Sequence, residues 1–205
     1  MTIQERQLAK PERLATKASK DGTVLSEVVK GVSSDKAKIK YCCAKVLRIL
    51  SQTDPEILYP KWNSIVDMLD FENTFLRANA VLVIANLTKV DSRNRFEKLF
   101  NRYYELMNDK SMITTGNLVG MSGVIVAAKP ELETKITNKL LSIDRTHHGS
   151  ECQNVIKANA IKAFDEYFGE SRSRKKILDF VRGELKNTRP STRRRAEDFL
   201  KKWDS

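Results

Sequence analysis

The stretch LRANAVLVIANL, residues 76–87, decides the fold class, because it is apolar on almost every side of a helix of this length. Its aliphatic side chains recur at the three- and four-residue spacing of an α-helix, and Arg77 is its only charged residue. A helix that is apolar all round is covered on both sides by other parts of the protein. We therefore predict burial in the middle of a helical array for Leu76, Ala80, Val83, Ile84 and Leu87.

Four other segments align with this stretch at a regular spacing. Anchored at Lys40, Arg77, Thr115, Lys157 and Arg195, the five segments are separated by 37, 38, 42 and 38 residues. Ahead of each lies a second amphipathic run, at residues 23–31, 55–70, 96–107, 132–143 and 174–185. Two helices with short connectors, repeated about every forty residues, are typical of helical repeat proteins.

Two of the segments carry a family resemblance. LRANAVLVIANL and IKANAIKAF, which starts at Ile156, resemble the second helix of a HEAT repeat, in which a basic residue precedes small and aliphatic ones. The resemblance to HEAT-repeat and armadillo-like proteins implies an all-α, right-handed α-α superhelix of about five helix pairs. We predict a single repeat domain over residues 23–205, and an N-terminal arm or capping helix over residues 1–22.

The resemblance also implies where a partner binds. In such proteins the second helix of each pair lines the concave surface, and positions one, five and eight after each anchor point there. The partner-binding residues expected on this basis are Lys45, Arg48, Ala78, Leu82, Ala85, Gly116, Gly120, Gly123 and Lys162.

Gly116, Gly120 and Gly123 lie within one predicted helix, where three glycines cost about 2–3 kcal/mol relative to alanine. Two interpretations account for them. They could form a groove in which a partner helix or peptide approaches the backbone closely. They could instead allow close packing against a neighbouring helix of this chain or against the N-terminal arm.

Asn79, Asn117 and Asn159 recur two residues after their anchors. Armadillo-like proteins use an asparagine ladder to hold an extended peptide, but that ladder lies late in the helix and this one lies early. We therefore favour hydrogen bonds from these amides to neighbouring backbone of the same chain.

The formal net charge of +11 is concentrated near the C-terminus, where residues 172–203 contain twelve Lys and Arg against four Asp and Glu. Such a basic region attracts phosphates or acidic protein surfaces, although it also suits the polar outer face of a terminal repeat. The candidate contacts for phosphate or an acidic surface are Arg189, Arg193, Arg194 and Arg195.

Catalytic motifs are missing from the sequence: it contains no nucleophile elbow, phosphate-binding loop, zinc-protease helix or dinucleotide fingerprint. His147, His148 and Cys152 form the one ligand-like cluster, and we interpret it as a solvated loop. We therefore expect no enzyme activity, no metal and no cofactor. Three cysteines, no secretory signal and no transmembrane stretch predict a cytoplasmic protein with reduced thiols.

These observations favour a non-enzymatic scaffold that binds a protein or peptide on its concave face, with no membrane association. The alternative is a nucleic-acid-binding protein that uses the basic C-terminal repeat, with weak, non-specific binding. A glycosylase acting on DNA is less favoured, because neither Trp62 nor Trp203 falls at a predicted concave position. The sequence leaves the partner and the oligomeric state open.

Overall fold

The computed structural model describes residues 10–204, and every regular element in that range is an α-helix or a 3₁₀-helix. The prediction of an all-α protein is confirmed. The chain divides into two compact units, Met1–Phe96 and Glu97–Ser205, which we describe separately. Within the described range no helix has both the length and the apolar character needed to cross a bilayer.

The N-terminal unit contains six α-helices and the start of a seventh. Their bounds are α1 Pro11–Ala18, α2 Gly22–Gly31, α3 Ala37–Thr53, α4 Pro55–Leu58, α5 Trp62–Asp67, α6 Thr74–Leu87 and α7 Arg95–Glu105. Helix α1 packs against α2 and α3 through its buried residues Leu14, Ala15 and Ala18. It lies within residues 1–22, the segment predicted as an arm or capping helix, of which residues 1–9 lie outside the described residues.

Helix α6 is the centre of the N-terminal core. All five of its predicted core residues are at most 2% exposed, so their predicted burial is confirmed. It packs against α3 and α5, and the side-chain amide of Asn86 donates to Ser51 Oγ on α3 at 3.0 Å. A polar residue so deep in the core is satisfied by this bond.

The predicted helix over residues 55–70 is interrupted. A 3₁₀ turn at Tyr59–Lys61 separates α4 from α5, and a second one at Met68–Asp70 follows α5. Pro60 lies in the first turn and lacks the amide hydrogen that a continuous α-helix would use. The apolar stripe nevertheless persists across the break, since Leu58, Trp62 and Ile65 are all buried.

The C-terminal unit begins within α7 and continues with α8 Met112–Ala128, α9 Glu133–Leu140, α10 Ser150–Tyr167, α11 Arg174–Gly183 and α12 Pro190–Trp203. Helix α10 lies between α8 and α12 and contacts both. Its buried side chains Ile156, Ile161 and Phe164 lie in the core of this unit. Counted along the chain, the second helices of the five predicted pairs are α3, α6, α8, α10 and α12.

Candidate partner-binding surfaces

Helix α3 presents a basic face in the N-terminal unit. It contains four basic residues and no acidic one. Lys38, Tyr41, Lys45 and Arg48 are exposed and recur at intervals of three or four residues, which places them along one face. None of the four basic side chains makes an ion pair with a described residue. The predicted contact residues Lys45 and Arg48 are therefore exposed and without a compensating charge among residues 10–204.

An exposed aromatic pair borders this basic face. The rings of Tyr41 on α3 and Phe75 on α6 meet edge to face, with centroids 5.1 Å apart and an angle of 86° between their planes. Tyr41 is 38% exposed and Phe75 is 41% exposed. Asn73 holds the pair in place, because its side-chain amide donates to Tyr41 Oη at 3.1 Å while its Oδ1 accepts from the Leu76 amide at the start of α6.

The other predicted contacts in this unit lie on α6, and most of them are inaccessible. Ala78 is 5% exposed and Ala85 is fully buried, whereas Leu82 is half-buried. Of these three, Leu82 alone offers contact surface. The apolar surface that the sequence predicted at this position is instead supplied by Phe75, two residues before the anchor Arg77.

The three glycines of α8 lie against α10 within the C-terminal unit. A Cβ atom on Gly116 would stand 3.1 Å from Asn159 Nδ2, and one on Gly120 would stand 3.9 Å from Asn159 Cβ. A Cβ atom on Gly123 would stand 2.9 Å from Glu166 Cβ. The close approach of α10 thus explains Gly123 and Gly116 by packing within the chain, whereas at Gly120 a methyl group would meet only an ordinary contact.

Two of the three recurring asparagines, Asn79 and Asn159, hydrogen-bond to helix backbone. Asn159 Nδ2 donates to the Gly116 carbonyl at 3.3 Å, which ties α10 to α8. Asn79 Nδ2 donates to the Phe75 carbonyl one turn earlier at 3.0 Å. These two amides hold the chain's own backbone, as their early position in the helix predicts.

A cleft of about 310 Å³ lies between α10 and α12 and contains the predicted contact Lys162. Its floor is apolar, from Ile161 and Phe199, and its rim carries charges of both signs. Asp165 on the rim accepts hydrogen bonds from Lys202 Nζ at 2.8 Å and Trp203 Nε1 at 2.6 Å. Burial alone would raise the pKa of Asp165, but these two hydrogen bonds and the charge of Lys202 hold it below its ordinary value.

The C-terminal arginines divide into structural and available groups. Arg193 Nη1 donates to the carbonyls of Asn187 at 2.6 Å and Thr188 at 2.9 Å, and Arg195 Nη1 donates to the Ala158 carbonyl at 2.9 Å. Arg189 Nε donates only to the nearby Ser191 Oγ, at 3.0 Å, and Arg194 has no such partner among the described residues. Both of these side chains are exposed. Half of the predicted phosphate contacts therefore hold backbone.

Arg193 is one of three arginines that make the same pair of hydrogen bonds to backbone carbonyls, an arrangement that the sequence did not reveal. Arg77 Nη1 donates to the carbonyls of Phe71 and Glu72, and Arg174 donates to those of Phe168 and Gly169. In all three cases an arginine near a helix start reaches the carbonyls five and six residues earlier. Charged donors of this kind make strong hydrogen bonds and fix the turn before the helix.

Lys157 also has a structural role, through two ion pairs. Its Nζ lies 2.7 Å from Asp144 Oδ1 and 3.0 Å from Glu184 Oε1, and both Lys157 and Glu184 are largely buried. Burial alone would lower the pKa of Lys157, but the hydrogen bonds and charges of the two carboxylates raise it above its ordinary value. The lysine joins α10 to the turns on either side of it.

The histidine loop is held by packing contacts. His148 is buried, with Nε2 3.0 Å from Thr115 Oγ1, and its ring lies 4.5 Å from that of His147. Cys152 is half-buried on α10. Over residues 10–204 no three His, Cys, Asp or Glu side chains are placed to hold a metal ion.

Burial, together with the charge of Cys42, raises the pKa of the Cys43 thiol on α3 to about 12.

Comparison with known proteins bears on the fold. No family model matches the sequence, and no curated protein matches it. The structure is similar to a designed armadillo repeat protein, with a TM-score of 0.63 and 15% sequence identity over 98% of this chain and 94% of that one. It is also similar to a computationally designed armadillo repeat protein for modular peptide recognition, with a TM-score of 0.61 and 15% identity over 97% of this chain and 94% of that one. At this identity the likeness shows the fold, an all-α superhelical repeat of the armadillo and HEAT kind.

Proposed function

We propose that this chain is a non-enzymatic repeat scaffold that binds a protein or peptide partner along its second helices, on the surface that the resemblance predicts to be concave. The observation that carries the proposal is the face of α3, where Lys45 and Arg48 have no ion-pair partner in the described part of the chain and lie beside the exposed pair Tyr41 and Phe75. Surface that combines free charge with exposed aromatic rings is typical of protein interfaces.

Two further observations support this assignment. One structural neighbour is described as built for modular peptide recognition, so the fold supports a peptide as the class of ligand. The cysteines also suit a cytoplasmic location, which belongs to the proposal, because Cys42 and Cys43 are buried, unpaired thiols.

Selection from a displayed library of random twelve-residue peptides, with the whole chain as bait, tests the proposal. We expect enrichment of a shared sequence pattern, and we expect the enriched peptides to lose binding when Lys45 and Arg48 are replaced by glutamine. A library that yields no enriched family would overturn the proposal. Replacement of Lys175 on α11 and Lys201 on α12 by glutamine provides a control with the same loss of charge.

Nucleic-acid binding is the second candidate, and the basic residues at positions 172–203 favour it. If the four candidate arginines all contacted phosphates, a plot of the logarithm of the association constant for duplex DNA against the logarithm of the salt concentration would have a slope of about −4. Because Arg193 and Arg195 hold backbone carbonyls, we expect a slope nearer to about −2 and weak binding. Tight binding at physiological salt with a sequence preference would place this candidate first.

A further inference from the structure

We infer that the face shared by α3 and α6 takes an acidic peptide segment with a central aromatic or large aliphatic side chain. The inference rests on the proposed function and names the chemistry of its partner. The α3–α6 face consists of Lys38, Tyr41, Lys45 and Arg48 on α3 together with Phe75 on α6.

The positive charge of the α3–α6 face favours a negatively charged ligand. Lys38, Lys45 and Arg48 are exposed and unpaired among the described residues, and α3 contributes no carboxylate to balance them. Basic residues elsewhere, such as Lys157 and Lys202, are compensated by carboxylates of this chain. The positive charges of the α3–α6 face are therefore available to a ligand, and the carboxylates of a ligand would balance them.

The aromatic pair selects an apolar side chain. Tyr41 and Phe75 are each about two-fifths exposed, and they are held in position by contact with each other and by Asn73. Rings that are already ordered lose little conformational entropy when a partner covers them. An aromatic or large aliphatic side chain of the ligand would bury both rings at once, and aromatic contacts of this kind favour binding beyond the area they cover.

Spacing along α3 converts this chemistry into a sequence pattern. With a rise of about 1.5 Å per residue, Lys38 lies about 4.5 Å on one side of Tyr41, and Lys45 lies about 6 Å on the other. An extended peptide advances about 3.3 Å per residue, so carboxylates one or two residues on either side of the apolar residue reach both lysines. Arg48 then meets a further carboxylate. The expected peptide pattern is one apolar residue with acidic residues on both sides. Because this pattern reads the same from either end, it fits a peptide bound in either direction.

An acidic peptide fits these observations better than a nucleic acid does. Bases bind to proteins by stacking flat on an aromatic ring. Here the two rings stand nearly perpendicular, and the edge of one occupies part of the face of the other. The arrangement leaves a corner between two rings, which accommodates a side chain.

The probe is a fluorescein-labelled, C-terminally amidated peptide, Gly-Ser-Glu-Asp-Glu-Phe-Glu-Asp-Glu-Ser-Gly, titrated with the full chain and followed by fluorescence anisotropy. We expect saturable binding that weakens about tenfold or more for the double variant Lys45→Glu/Arg48→Glu. The matched control Lys175→Glu/Lys201→Glu changes net charge equally on α11 and α12, at exposed side chains without partners among the described residues, and should weaken binding less than about threefold. Lys45→Gln/Arg48→Gln replaces the reversal variant if that variant does not keep the melting temperature.

Two comparisons test the remaining parts of the inference. Replacing the central Phe of the probe by Ser should weaken binding about fivefold, and Tyr41→Ser/Phe75→Ser should abolish the difference between the two peptides. A seven-nucleotide thymidine strand with the same label has the same charge as the peptide and should bind more weakly. The inference is overturned by equal or tighter binding of that strand, by an equal effect of the control variant Lys175→Glu/Lys201→Glu, or by no saturation at 1 mM protein. If display then enriches basic or neutral peptides, the proposed function stands and this inference alone falls.

Discussion

Helices α3 and α12 are both strongly basic, yet they use their charges in different ways. On α3, Lys45 and Arg48 face solvent without a partner among the described residues. On α12, Arg193 and Arg195 donate to backbone carbonyls, and Lys202 pairs with Asp165. The helix in the more basic part of the sequence is thus the less available one. Counting basic residues identifies the most basic part of the sequence. Binding depends instead on which of those residues lack a partner within the folded chain.

The largest test of this difference concerns Lys157. We expect Lys157→Met to lower the free energy of unfolding by about 3 kcal/mol, because it leaves the buried carboxylate of Glu184 without its cation. Urea denaturation at neutral pH measures the loss. The matched change Lys45→Met on α3 should alter stability by less than about 0.5 kcal/mol, as exposed substitutions usually do. Equal effects at the two positions would contradict the division between structural and available charge.

The glycines of α8 offer a sharper test within the C-terminal unit. Gly123→Ala should destabilise the protein by about 1–2 kcal/mol, because its Cβ would stand 2.9 Å from Glu166 Cβ and α10 must shift. Gly120→Ala should stabilise it by about 0.5–1 kcal/mol, since the new methyl group meets Asn159 at an ordinary contact distance and favours the helix. Thermal denaturation of the two variants should give opposite signs. Stabilisation by both would mean that α8 and α10 are not closely packed.

The sequence predicts the helical pairs well because burial follows from side-chain hydrophobicity. The all-round apolar character of α6 and the period of about forty residues both depend on that property alone. The available charges do not follow from it. Arg193 and Arg194 are neighbours of the same type, and only the fold shows that one reaches the Asn187 carbonyl. Likewise, the glycines of α8 indicate a close contact, but their sequence does not identify α10 as the neighbour.

The pair Arg193 and Arg48 tests that distinction directly. Arg193→Ala removes two hydrogen bonds to the turn before α12, and we expect it to lower the free energy of unfolding by about 1 kcal/mol because the site is only half-buried. Arg48→Ala should leave stability nearly unchanged. Hydrogen exchange should show faster opening at the start of α12 in the first variant alone. Faster exchange at α3 in Arg48→Ala would mean that Arg48 has a structural role as well.

The smallest expected effect is a pH dependence of stability in the C-terminal unit that the N-terminal unit lacks. The two histidines of the chain, His147 and His148, both lie in the C-terminal unit. Burial lowers the pKa of His148 and the charge of His147 adds to this, while a hydrogen bond with the Met107 backbone and the charge of Asp109 oppose it. The protonated ring is therefore less stable in the folded protein than in the unfolded chain. Stability is full above the ordinary histidine pKa of about 6.5 and is lost as the pH falls below it toward the pKa of the folded protein.

We therefore expect hydrogen exchange around α8 and the histidine loop to accelerate between pH 7.5 and 5.5, after correction for the intrinsic pH dependence of exchange. Exchange in α3 and α6 should show no such change, because the N-terminal unit contains no histidine. His148→Gln should flatten the response, since the glutamine amide can hydrogen-bond to Thr115 without titrating. His147→Gln serves as the control and should retain most of the response, because His147 is exposed and burial, the largest cause of the lowered His148 pKa, remains. An equal loss of protection in α3 would place the pH-sensitive group outside the histidine loop.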